Sequence, residues 1–178
     1  MTFLVTGGTG FIGKRVVAKL LSKNIQVVAT DINIDNEQND FEKYLDSKNI
    51  STKGLELREL DMSSKENIKN IFDNYKFTNI IACGYQMSNL IDNNPIKGSE
   101  VNIVGMTNLF QAVLDYKIKR MVFPSSQSVY GTTSKLFDDK PVKEDDYCGL
   151  QHQLFTYAVM KLLNEFMAQK YMALHNIS

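Results

Sequence analysis

The sequence predicts a doubly wound α/β fold, a parallel sheet with helices on both faces. Three observations carry the prediction. Short β-rich runs alternate with helical patterns, a glycine-rich turn joins the first run to the first helical pattern, and a carboxylate follows the second run. Length agrees: 178 residues, 43% of them hydrophobic, suffice for one domain with a substantial core and are too few for two ordinary ones, so residues 1–178 read as a single domain.

Taken in order, Thr2–Thr6 is the first strand and Phe11–Ser22 the first helix. In that helix Phe11, Ile12, Val16, Val17, Leu20 and Leu21 recur at helical spacing and form a stripe for the sheet, while Lys14, Lys19 and Lys23 face water. Gln26–Thr30 is the second strand. The polar excursion 33–53 has few apolar residues and is predicted to be mostly loop, with Phe41, Tyr44 and Leu45 making at most a short helix. Three further strands follow at Leu55–Leu60, Asn79–Cys83 and Arg120–Pro124. Each leads to a helical pattern, at Lys65–Asn74, Val101–Asp115 and Phe155–Leu174 respectively. Between the last strand and last helix, the irregular stretch 131–154 contains Pro141 in "DDKPVKEDD". Ligands in such folds lie beyond the carboxyl ends of the strands, so this stretch is a candidate lid or substrate loop.

Composition narrows the class of partner. Twenty basic against twenty acidic residues leave no net charge, and with it no basic footprint for nucleic acid or an anionic membrane. Cys83 and Cys148 are the only cysteines, which makes neither a disulfide framework nor a metal cluster and points to a reducing cytoplasm. No apolar run approaches the roughly 20 residues that span a bilayer, and the N-terminal "MTFLVTGG" lacks a basic n-region. A cytoplasmic protein with a small-molecule partner is expected.

The turn "VTGGTGFIG" contains both Gly7-x-x-Gly10-x-x-Gly13 and Gly8-x-Gly10-x-x-Gly13. Glycines there permit a tight turn, let backbone N–H groups approach a pyrophosphate, and bring the helix close to the strand. The second strand adds an independent sign: Asp31 stands 18 residues after Gly13, close to the offset of about 20 at which a carboxylate accepts ribose hydroxyls. Together they predict a Rossmann-type dinucleotide site, and a carboxylate at that place repels a 2′-phosphate, favouring NAD over NADP.

Near the C-terminus "YAVMK" places Tyr157 and Lys161 one helical turn apart. A tyrosine with an ordinary pKa of about 10 is a poor base at neutral pH, and a nearby ammonium favours its phenolate. Spacing alone decides nothing, because chance places about one Tyr-x-x-x-Lys pair in a chain of this composition and Tyr44/Lys48 is a second match. Position decides. The Tyr44 pair follows the second strand, on the adenosine side of the expected cofactor, whereas the Tyr157 pair follows the fifth strand. "VFPSSQSVYG" at the end of that strand supplies Ser125, Ser126 and Ser128 as hydroxyls to hold a substrate oxygen.

"TGGTGFIG", Asp31, Asp61 in "LRELDMSS", "EVNIVGMTNL", "SSQSVYG" and "YAVMKLLNE" resemble, in order and approximate spacing, the extended short-chain dehydrogenases of the NAD-dependent epimerase/dehydratase group typified by UDP-glucose 4-epimerase. The resemblance runs from residue 2 to about residue 174. It implies that Gly7, Gly10, Phe11, Ile12 and Gly13 contact the pyrophosphate and Asp31 the adenosine ribose, with Asp61 and Met62 flanking the adenine. It sets Cys83 and Gly84 beside the nicotinamide half and matches Asn102 to the family's "N-x-x-G-T" helix. Ser126 matches the substrate-binding Ser/Thr, Tyr157 the base, and Lys161 its partner and a ribose ligand. Tyr157 would take a proton from a nucleotide-sugar hydroxyl as hydride passes to NAD, giving a keto sugar.

The sequence also departs from the family. Gln127-Ser128 stand where 4,6-dehydratases carry Asp-Glu, the Pro that commonly precedes the Tyr is missing, and Ile81-Ala82-Cys83-Gly84 replace a common His-Leu-Ala-Ala. Family members continue into a sixth strand and a C-terminal substrate domain, whereas this chain ends at "ALHNIS", so the resemblance implies an N-terminal part with the substrate domain absent. A non-catalytic NAD-binding module and a reductase or dehydrogenase of a non-sugar alcohol are the alternatives. The last helix has apolar residues on more than one face and predicts packing on the sheet and on something else, a second copy in a homodimer or, equally, the absent C-terminal half; a homodimer is expected.

Overall fold

In the computed structural model, which describes residues 1–131, 140–146 and 155–175, five strands pair into one parallel sheet. They are β1 (Thr2–Thr6), β2 (Gln26–Asp31), β3 (Leu55–Glu59), β4 (Asn79–Ala82) and β5 (Arg120–Val122), in the order β3-β2-β1-β4-β5. The strand order reverses between β1 and β4. In such sheets the crevice beyond the carboxyl ends of the two diverging strands is the ligand position.

Side chains alternate across the sheet, and both faces are covered, which is why the strands read as nearly continuous apolar runs. Leu4, Val28, Ile80 and Ala82 belong to one core, with Ile68, Ile71 and Phe72 of α3 (Lys65–Asn74) and Leu109, Phe110 and Val113 of α6 (Met106–Asp115). Met167, Ala168 and Tyr171 of α7 (Thr156–His175) pack against the same core. Val5, Val27 and Ala29 point the other way, to Val17, Leu20 and Leu21 of α1 (Gly13–Leu21) and Phe41 and Leu45 of α2 (Ile34–Ser47).

Helix α2 corrects the expectation of a loop at 33–53. Ile34, Phe41 and Leu45 are its buried residues, and their spacing of seven and four puts them on one face. Asp35 and Glu37 occupy the first turn, where carboxylates complement the helix dipole. Few apolar residues are enough for a helix when all of them fall on the stripe that meets the sheet. Helix α1 also begins later than expected: Phe11 and Ile12 precede it and are 75% and 51% exposed, so they leave the packing stripe to Val17, Leu20 and Leu21.

Two short helices absent from the sequence reading, α4 (Ser88–Asn93) and α5 (Pro95–Ser99), lead through a π-helical turn, Glu100–Gly105, into α6. Asn94 caps α5 by accepting the Lys97 N–H at 3.1 Å, and Pro95 takes the first helical position, where no N–H is needed. A 3₁₀ turn, Gln127–Tyr130, follows β5. Most of the candidate lid at 131–154 lies outside the described residues, as does Cys148. Among the described residues no helix is long and apolar enough to cross a membrane.

Phe41 is 1% exposed, whereas its neighbour Asp40 is exposed. Phe41→Ala is therefore expected to lower stability by about 3–5 kcal/mol. Asp40→Ala should stay within about 0.5 kcal/mol. Urea denaturation of both variants is the check.

Candidate active site

The crevice starts at the glycine turn. Gly7 has φ +61°, and a Cβ on it would lie 2.5 Å from the Gly84 nitrogen; one on Gly13 would lie 1.9 Å from the Gly7 carbonyl oxygen. Only glycine fits either position, and the result is bare backbone where β1 and β4 diverge. No side chain caps the N terminus of α1; the Lys14 and Arg15 N–H groups go to the Gly10 and Ile12 carbonyls, and the Gly13 N–H and the positive end of the dipole are presented there. Because the Phe11 and Ile12 side chains turn outward, with the Arg15 guanidinium 3.9 Å over the Phe11 ring, any contact they make with a phosphate is through backbone N–H.

Asp31 ends β2 with its carboxylate turned back toward this turn, accepting the Thr9 hydroxyl at 2.7 Å and the Ile32 N–H at 2.9 Å. Glu37 in the first turn of α2 reaches the same hydroxyl, a second carboxylate that the loop reading of 33–53 concealed. Asp61 sits beyond β3. Its Oδ1 accepts the Ser63 N–H and hydroxyl at 2.9 and 2.6 Å, and its Oδ2 faces Lys97 Nζ at 3.5 Å. Burial pushes its pKa up, but the Ser63 bonds and the Lys97 charge together outweigh it and hold the carboxyl below its ordinary value. Met62 is buried, and its carbonyl accepts Asn108 Nδ2 at 2.9 Å.

Beyond β4 the Cys83 N–H donates to the Thr6 carbonyl at 2.9 Å, and the Gly84 N–H lies 3.3 Å from Thr6 Oγ1. Burial pushes the Cys83 thiol up, with Lys161 opposing, so this cysteine is held as the thiol. Asn102, fully buried in the π-helical turn, holds the loop after β4: its Nδ2 donates to the Gln86 carbonyl at 3.0 Å, and its Oδ1 accepts the Gln86 N–H at 2.8 Å. The extra residue in a π turn commonly serves such a purpose.

One stripe of α7 meets the segment after β5. Tyr157, Lys161 and Glu165, spaced by four, engage Ser126, Pro124 and Ser125. Ser126 Oγ accepts the Ser128 N–H at 3.2 Å and the Ser128 hydroxyl at 2.9 Å, and it lies close enough to Tyr157 to act on the phenol. Burial pushes the Tyr157 phenol above its ordinary value, and Ser126 pulls it back. Lys161 is 3% exposed and donates to the Pro124 carbonyl at 2.7 Å; its ammonium lies 3.6 Å from the Tyr85 ring centroid and 5.7 Å from that of Tyr157. Burial lowers its pKa to about 8, with Cys83 and Glu165 opposing the shift.

Tyr85 and Asn164 were not singled out in the sequence. Asn164, fully buried one turn past Lys161, donates to the Tyr85 hydroxyl at 3.1 Å and to the Asn102 carbonyl at 3.0 Å. The only available signals were position, Tyr85 directly after Cys83-Gly84 and Asn164 three residues after Lys161. The second Tyr-x-x-x-Lys pair stands apart: Tyr44 packs beside the α1–α2 core under Lys14 and Arg15, and Lys48 is exposed.

The sequence profile of the NAD-dependent epimerase/dehydratase family matches residues 3–178. The chain belongs to this family. It is 37% identical to an Arabidopsis thaliana bifunctional UDP-glucose 4-epimerase and UDP-xylose 4-epimerase over 132 residues, 72% of this chain and 37% of the relative. It is 28% identical to an uncharacterized 37.6 kDa Escherichia coli protein over 178 residues, 99% of this chain and 51% of the relative. Its fold superposes on Thermus thermophilus UDP-glucose 4-epimerase, solved with NAD, at TM-score 0.75 and 25% identity over 99% of this chain and 52% of that one. The chain spans about half, or less, of the length of these relatives.

This family uses a nicotinamide cofactor, and the residues present fit one. The bare backbone at Gly7 and Gly13, the uncapped helix terminus and the Asp31 carboxylate form a donor and acceptor set for a pyrophosphate with its ribose. Among the described residues no group of His, Cys, Asp or Glu could hold a metal ion.

Lys161 gives the folded chain a distinct pH response. It loses its proton near pH 8 when folded and near its ordinary 10.5 when unfolded, so between these values the unfolded chain binds more protons and this residue's contribution to stability rises with pH. Lys161→Met is expected to remove a gain of about 2 kcal/mol between pH 8 and 10. The comparison of urea midpoints for wild type and variant across that window reads it directly; parallel curves would contradict it.

Proposed function

We propose that this chain is the NAD-binding part of an enzyme that passes hydride between NAD and a hydroxyl of a nucleotide-sugar. The observation that carries the reading is the convergence at one crevice of the glycine cradle with the neighbouring Ser126 and Tyr157 and the buried Lys161.

When bound, the nicotinamide supplies the hydride acceptor. Gly7, Gly10, Phe11, Ile12 and Gly13 contact the pyrophosphate, with the Gly10 N–H kept by the Gly7 carbonyl, Asp31 takes the adenosine ribose, and Asp61 and Met62 border the adenine. Cys83, Gly84 and Asn102 border the nicotinamide half. Ser126 holds the substrate oxygen and Tyr157 takes its proton. With a pKa near 8, Lys161 is mostly cationic at pH 7, and in a site stripped of water its charge favours the phenolate over the distance to Tyr157. Two carboxylates, Asp31 and Glu37, share the Thr9 hydroxyl where a 2′-phosphate would lie, which supports NAD over NADP. The names of the relatives support a UDP-sugar, and a cytoplasmic setting suits the protonated Cys83 thiol.

Calorimetric titration of the whole chain with NAD, NADP and UDP-sugars is the direct test. NAD is expected to bind more tightly than NADP, and Tyr157→Phe to abolish hydride transfer from a bound sugar to NAD while NAD binding changes little; Tyr44→Phe should alter neither. Absence of any dinucleotide binding would sink the cofactor reading, and NAD binding without a sugar would leave a dinucleotide-binding module that does not turn over.

On α7, Val159, Leu163 and Phe166 are 41–57% exposed at helical spacing, next to Val104 at 44%, and we assign them to a homodimer interface. Light scattering should give twice the chain mass, and Phe166→Glu should give the monomer.

A further inference from the structure

The ammonium of Lys161 is not on the Tyr157 oxygen. It lies 3.6 Å from the centroid of the Tyr85 ring, closer than to any other aromatic face, and that ring packs at 88° against Tyr157 with centroids 5.5 Å apart. The Tyr85 hydroxyl is fixed in turn by Nδ2 of the fully buried Asn164. One side chain thus touches both members of the pair and is itself locked from behind.

We propose that Tyr85 is a positioning residue for the acid/base pair, its ring face seating the Lys161 ammonium and its packing setting the Tyr157 ring. A ring is suited to this because its electron-rich face attracts a cation without accepting a proton, and in a desolvated site that attraction is large. Tyr85 does not compete as a base. Burial and the nearby Tyr157 push its phenol well above the ordinary value, outweighing the Asn164 bond, so it stays neutral while Tyr157 is the tyrosine beside Ser126. The Pro124 carbonyl is the other partner that fixes the ammonium, and Cys83 and Glu165 are the titratable groups that act on it. That the seat serves catalysis rests on the function proposed above; the seat itself is read without any dinucleotide, so the two can fail separately.

The test follows the Cε resonance of Lys161 through a pH titration of the whole chain labelled with ¹³C-lysine, assigned by its loss in Lys161→Met. Tyr85→Leu removes the ring and is expected to lower the Lys161 pKa by about one unit, the tenfold change that a buried cation–π contact supplies. Tyr85→Phe keeps the face and should restore the wild-type value to within about 0.3 unit, although it loses the Asn164 bond. An unchanged or raised pKa in Tyr85→Leu overturns the proposal, and so does an equal shift in Tyr85→Phe. Should Tyr85→Leu not fold, 4-cyanophenylalanine in place of Tyr85 keeps the ring's shape while draining its face of electron density. A Lys161 pKa below that of Tyr85→Phe supports the seat, and an equal one overturns it.

Discussion

Two backbones that touch organise this molecule. The turn after β1 and the segment after β4 meet so closely at Gly7 and Gly84 that a Cβ on Gly7 would lie 2.5 Å from the Gly84 nitrogen. The contact continues the parallel register of β1 and β4, in which Thr6 pairs with Ala82, and Thr6 extends it by accepting the Cys83 N–H. Because the strand order reverses at this place, the same contact forms the floor of the crevice, brings the N terminus of α1 to one side of it, and delivers Tyr85 to the other. A side chain at Gly7 would disturb sheet, cradle and site together.

A second constraint ties the far wall. Burying an ammonium costs several kcal/mol unless it is compensated, and Lys161 is nearly inaccessible. The Pro124 carbonyl and the Tyr85 face compensate it in part, and the lowered pKa is what remains of the cost. The same lysine joins α7 to the segment after β5, with Tyr157 a turn before it and Glu165 a turn after it gripping the adjacent serines. Stability and chemistry therefore draw on one stripe of one helix, which explains why residues expected for a reaction also appear as structural contacts.

The strands and the site's main residues were legible because their signals are local. Apolar runs bounded by turn residues locate β1 to β5 within two residues at each end, and the glycine turn and Asp31 are readable from offsets along the chain. Helix α2 was not, since counting apolar residues misses a helix that buries only Ile34, Phe41 and Leu45. Tyr85 and Asn164 were unreadable for another reason: their contact spans 79 positions, and nothing in either neighbourhood encodes the other. Nor did spacing reveal that Lys161 would point at a ring and a carbonyl, because the i,i+4 relation places two side chains on one face without saying what else that face meets.

The choice of base follows from the environment rather than from the motif. Among the tyrosines beside a cation, Tyr75 bonds Arg58 of β3, and three others bear on the choice: Tyr44, Tyr157 and Tyr85. Tyr44 packs under Lys14 and Arg15 against the α1–α2 core, on the sheet face opposite the core that α7 packs against. Tyr85 is nearest to Lys161, yet its hydroxyl is turned to Asn164 and burial raises its pKa the most, so it stays neutral and offers the ammonium its ring face rather than an oxygen. Tyr157 is less buried, and its hydroxyl meets a serine at the mouth of the crevice. Of the three, only Tyr157 lies beside Ser126 with the Lys161 ammonium 5.7 Å from its ring centroid, which is what the base proposed above requires.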